Sequence, residues 1–167
     1  MLNFVAMRLH TILLTLLIIV SIINTNAQRV SRTTTPAGSV YPDVSITNLI
    51  TMLNINLSDW ERNMKLISKL RDDFGESGIQ YTIENKTDTQ DGFCFATKKA
   101  TEFEMVYQIG PNGASIFTDF IKEIKKSYVK DLDGYQIYQY EHVDDINYVF
   151  VVKTNGTEEY VRVYANL

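Results

Sequence analysis

The sequence predicts an α+β fold: two tandem helix-strand-strand-strand repeats forming an antiparallel sheet of about six strands, with helices on one face. The prediction rests on a self-alignment at a shift of 57 residues, on helical apolar spacing at the start of each unit, and on three alternating runs after each helix. At that shift Trp60 to Gln108 lies against Phe117 to Ala165, and eleven of the 49 positions are identical, among them Lys65/Lys122, Tyr81/Tyr138, Glu84/Glu141, Phe93/Phe150 and Tyr107/Tyr164. Ordinary amino-acid usage gives about three such matches. Many unmatched positions keep their type, as in Trp60/Phe117, Met64/Ile121 and Phe103/Tyr160.

The elements follow in order. Arg8 precedes Ile12 to Ile23, an apolar run broken only by Thr15 and Ser21, and Thr25 and Ala27 are small, so residues 1–27 read as a signal peptide. Twelve helical residues span about 18 Å, too short for a permanent membrane anchor after cleavage. Residues 28–44 lack an apolar period and hold turn formers, which predicts a flexible linker. The domain is then residues 45–167, divided into repeats 45–110 and 111–167. Ile46, Leu49, Ile50 and Leu53 make a short first helix that the second repeat replaces with a turn at 110–113.

In the first repeat, Ser58 with Glu61 forms a capping box ahead of Trp60, Met64, Ile67, Leu70 and Phe74 at helical spacing. In the second, Phe117, Phe120, Ile121, Ile124 and Tyr128 make the same stripe. Strands are predicted at 79–85, 92–98 and 102–109, matched by 136–142, 147–153 and 158–165. The links are short, and Asn155-Gly156 is a strong hairpin signal, so neighbouring strands are antiparallel.

In this order of elements the chain resembles the secreted tandem-repeat proteins similar to beta-lactamase inhibitory protein, whose units also place helices before a small antiparallel sheet. The likeness spans residues 45–167 and lies in architecture and in the extra first helix. No residue motif is shared, and no cysteine pair braces the units. The resemblance implies an open sheet face presented to a partner.

Composition narrows the chemistry. Of 167 residues, 45% are apolar and 22% charged; setting aside Arg8 of the leader leaves 15 basic against 20 acidic residues, a balance that disfavours nucleic acid. One cysteine excludes an internal disulfide, and one histidine outside the leader excludes a His-rich metal site, so no metal or cofactor is expected. Cys94 aligns with Val151 and reads as a packing thiol, while His142 at a strand end is its only candidate catalytic partner. Glu84/Glu141 and Asp88/Asp145 match by repetition, and the spacing after Asp131 does not fit a calcium loop. Asn56, Asn85 and Asn155 head glycosylation sequons.

The last strand of each repeat holds the candidate binding residues. Tyr160, Arg162 and Tyr164 alternate with Val161 and Val163, and the repeat sets Phe103, Met105 and Tyr107 beside them as one aromatic face with a cation. That placement puts Glu102, Glu104 and Val106 under the helices, which two carboxylates resist; either that strand faces the other way or its start runs beyond the helices. The expected function is a secreted or periplasmic, non-enzymatic binding module that engages a protein or a small apolar ligand through its open sheet face. The alternatives are a small secreted hydrolase or isomerase with a carboxylate pair, and a structural cell-envelope protein.

Overall fold

The computed structural model describes residues 30–34, 40–68, 70–84, 92–111, 113–142 and 145–166. The signal peptide, Asn85, Asp88 and Asp144 lie outside the described residues. The elements are β1 (Arg32–Thr34), β2 (Val40–Pro42), α1 (Ile46–Asn54), α2 (Leu57–Lys65), β3 (Leu70–Asp73), β4 (Ile79–Glu84), β5 (Gly92–Lys98), β6 (Glu102–Ile109), α3 (Thr118–Ile124), β7 (Tyr128–Leu132), β8 (Tyr135–Glu141), β9 (Asn147–Thr154) and β10 (Glu158–Asn166). The chain is α+β. It forms one eight-stranded antiparallel sheet, ordered β3-β4-β5-β6-β10-β9-β8-β7, and a two-stranded ribbon of β1 and β2.

Two strands more than expected come from segments read as helix ends. After α2, the Ser68 hydroxyl donates to the Thr82 carbonyl and accepts from the Leu70 amide at 3.1 Å, so the chain peels off the helical path onto β4. Leu70 and Phe74, assigned to the helical stripe, are 48% and 53% exposed. Likewise α3 passes through a 3-10 turn at Lys125–Ser127 into β7, and Tyr128 meets Tyr138 edge-on across the strands. The N-cap of α2 is Asn56 rather than Ser58; its side chain accepts from the Asp59 amide at 2.9 Å, and the Ser58 hydroxyl donates to it at 2.7 Å.

The expected flexible linker is corrected over residues 30–34 and 40–44, which are docked. Val30, Tyr41 and Val44 are buried. The Ser31 amide donates to Asn48 Oδ1 at 2.7 Å, the Val30 amide donates to Asn63 Oδ1 at 3.3 Å, and the Tyr41 hydroxyl donates to the Gly92 carbonyl at 3.3 Å. Asn48, itself buried in α1, returns its amide to the Asp43 carbonyl at 2.6 Å. Polar side chains on helices α1 and α2 therefore hold a strap that lacks an apolar period of its own.

The buried core joins side chains of the sheet with side chains of the helices. Trp60 of α2 packs edge-on against Tyr81 and Phe103, Phe120 of α3 tilts against Phe150, and α1 lies over both β6 and β10. Phe103, Met105 and Tyr107 of β6 are buried with Val163, Val161 and Glu159 of β10, which stand directly opposite them. Directly paired residues share a face of the sheet.

That register corrects the placement of Phe103, Met105 and Tyr107 beside Tyr160, Arg162 and Tyr164: the two sets point to opposite faces. The ungapped shift of 57 puts buried Tyr81 on buried Tyr138, but it fails past the next hairpin. Glu84 pairs with Phe93, whereas Glu141 pairs with Asn147, so the first hairpin is three residues longer than its counterpart. An odd difference turns every later side chain to the other face. Glu102 and Glu104 accordingly point to the sheet face opposite that of buried Phe103 and Met105.

Candidate functional site

Beside Tyr160, Arg162 and Tyr164, β6 places Val106, Glu104 and Glu102 on the sheet face opposite the buried core. All are partly exposed. Glu104 organises the centre: its Oε2 accepts from the Tyr160 hydroxyl at 3.0 Å and from Arg162 Nε and Nη2 at 3.1 and 2.7 Å. Glu102 stands 3.9 Å from Arg162 Nε and also pairs with Lys99. Burial pushes the Tyr160 phenol above its ordinary range, and Glu104 pushes it further, so the hydroxyl stays protonated and keeps donating. Burial works against the charge on Arg162, but its hydrogen bond to Glu104, with Tyr160 and Glu102, raises its pKa.

The patch continues across β9 and β8. Tyr135 meets Tyr160 edge-on at 5.4 Å, Lys153 Nζ sits 5.7 Å above the Tyr135 ring, and the Arg162 guanidinium sits 5.8 Å from the Tyr160 ring centroid. Val151 is paired with Arg162 on one side and with Ile137 on the other. On the β5 side, Phe95 stands opposite Val106. The result is a half-buried floor of rings and branched aliphatics with one braced arginine at its middle.

Of the six residues selected in the sequence, the structure brings together Tyr160, Arg162 and Tyr164. Phe103, Met105 and Tyr107 are packing: Phe103 lies against Trp60, and Tyr107 meets Tyr41 edge-on at 5.4 Å. Sequence reasoning missed Glu104, Tyr135 and Lys153. The signal for Glu104 was available, since carboxylates at alternate positions of a half-buried strand mark its wet side.

The other candidates for chemistry stand apart. Cys94 on β5 and His142 after β8 lie on strands separated by β6, β10 and β9, which puts them on the order of 19 Å apart at strand spacing. Cys94 is fully buried, and burial drives its thiol far above the ordinary value, away from the reactive thiolate. His142 sits between the Tyr140 and Tyr148 rings in a turn where its amide donates to the Ile146 carbonyl at 3.0 Å. Glu102 and Glu104 share a face but are held by Lys99 and Arg162. No family model, curated protein or solved structure matches the chain. Among the described residues no helix is long and apolar enough to cross a membrane.

Proposed function

We propose that the chain is a secreted or periplasmic, non-enzymatic binding module that engages a protein partner or a small apolar ligand through the sheet face carrying Tyr160, Arg162 and Tyr164. The observation that carries this reading is the braced ring cluster: Tyr135 and Tyr160 stacked edge-on beside an arginine whose geometry Glu104 holds. Rings and arginine fixed before contact lose little conformational freedom on binding, which is how anchor residues earn their share of affinity. In the same reading the two four-stranded meanders are tandem copies, a view supported by the palindromic strand order around β6 and β10 and by the Tyr81/Tyr138 match. The three helices among the described residues then lie on the far side of the sheet, and the likeness to the inhibitory-protein architecture points the same way.

The test is the double substitution Tyr160→Ala with Tyr164→Ala, with edge residue Tyr128→Ala as control. A partner isolated from the extracellular or periplasmic fraction is lost by the double variant and kept by the control, while both remain cooperatively folded. Retention of the partner by the double variant refutes the reading, as does a collapse of its thermal stability.

A further inference from the structure

A separate cleft of about 620 Å³ opens where α1 ends, α2 begins, and the turn before β4 approaches the end of β5. Its apolar walls include Leu53, Ile55, Leu57, Ile79 and Ala100. Lys98 also lines it. By strand alternation Lys98 belongs to the core face, opposite Phe103, and it is only 4% exposed. Its ammonium donates at 2.6 Å to the Leu53 carbonyl, one of the last-turn acceptors that α1 leaves without a helical partner. An ammonium has three donors; among the described residues the other two have no protein acceptor, and no carboxylate pairs with Lys98. Gly78 lets the opposite wall come this close, because a Cβ there would lie 2.7 Å from the Lys98 carbonyl oxygen.

A buried cation without an anion is costly, and a cleft at its side offers a ligand the chance to supply one. Other charges at the rim are already answered: Lys99 pairs with Glu102, and Asp73 accepts from the Gly75 amide at 2.9 Å and faces Arg71 at 3.4 Å. Helix α1 itself carries no charged side chain. The volume suits a small organic molecule rather than a chain segment or a bare ion.

We propose that this cleft binds a small apolar carboxylate, its carboxylate received by the Lys98 ammonium and its hydrocarbon by Leu53, Ile55, Leu57 and Ile79. The site does not depend on the sheet-face reading, and neither stands on the other. Burial lowers the Lys98 pKa to about 8, so the anion meets a charged amine at neutral pH and a neutral one in mild alkali.

The experiment is isothermal titration of the protein, with its docked strap intact, with octanoate and with 1-octanol as the uncharged comparison. Octanoate binds, octanol binds about tenfold more weakly or worse, and Lys98→Met lowers octanoate affinity about tenfold or more. Lys99→Met changes it by no more than about threefold. Octanoate affinity of the unmodified protein falls as pH rises above about 8, a readout that holds even where Lys98→Met alters folding. Absence of octanoate binding at millimolar concentration, equal binding of octanol, or octanoate binding indifferent to Lys98→Met and to pH overturns the proposal.

Discussion

Lys98 makes the stability of the fold depend on pH in a direction opposite to that of a paired lysine. Its folded pKa is about 8 against an ordinary 10.5, so between those values the unfolded chain holds more protons than the folded one. Stability therefore rises with pH through that window. The full displacement is worth about 3 kcal/mol at roughly 1.4 kcal/mol per pKa unit, all of it a penalty below pH 8. Part of the window is blurred by tyrosines: burial raises the phenols of Tyr81, Tyr138 and Tyr160, and such groups withdraw stability as the unfolded phenols ionise near pH 10. Between about pH 7 and pH 9.5 the Lys98 contribution alone amounts to about 2 kcal/mol. Urea unfolding at the two pH values, with Lys98→Met in parallel, isolates it: the parent protein gains about 2 kcal/mol relative to the variant. Equal pH slopes for the two proteins would refute the assignment of a charged, unpaired Lys98 to the core face.

Other substitutions check the rest of the geometry. Phe103→Ala should cost about 3 to 5 kcal/mol in denaturant unfolding, because it empties a fully buried site against Trp60, whereas Tyr164→Ala on the other face should cost about 1 kcal/mol or less; equal costs would mean that the register of β6 on β10 is wrong. Glu159→Ala should cost about 2 kcal/mol by the same measure, since the buried carboxylate accepts from the Ser115 hydroxyl and from the Ile116 amide at 3.0 Å, and its loss orphans both donors ahead of α3. Cys94 should resist a thiol alkylating reagent in native buffer and react in urea, as mass spectrometry will show; rapid native labelling would contradict its burial.

Much of the sheet was legible in the sequence because its strands alternate. The runs 92–98 and 102–109 match β5 and β6 residue for residue, and the three later strands differ by one residue at their ends. The edge strands were not legible: Leu70, Phe74 and Tyr128 continue a helical period, and only the Ser68 hydrogen bonds and the pairing on β4 and β8 decide otherwise. Face assignment failed for a different reason. Identities such as Phe93/Phe150 survive in an ungapped comparison even though Phe93 and Phe150 lie on opposite faces, because hairpin length is invisible to it. The half of the candidate surface on β10 was found through its own alternation, and the half borrowed from β6 by analogy was lost. The strap segments 30–34 and 40–44 are held by Asn48, Asn63 and Gly92, and partners that distant in sequence leave no local trace. The cleft depends on Lys98 falling on an inward position, which the pattern Gly-Phe-Cys-Phe-Ala-Thr-Lys conceals by ending a strand in a residue that normally marks its solvated tip.

Helix α1 belongs by sequence to the front of the chain, yet it rests on β6 and β10 together and touches α3. Pulling the two meanders apart would strip this shared roof from one of them and leave a bare row of amides and carbonyls on each. Neither half is thus a self-sufficient folding unit, and calorimetry should record a single melting peak rather than two, with damage in either meander transmitted to the whole.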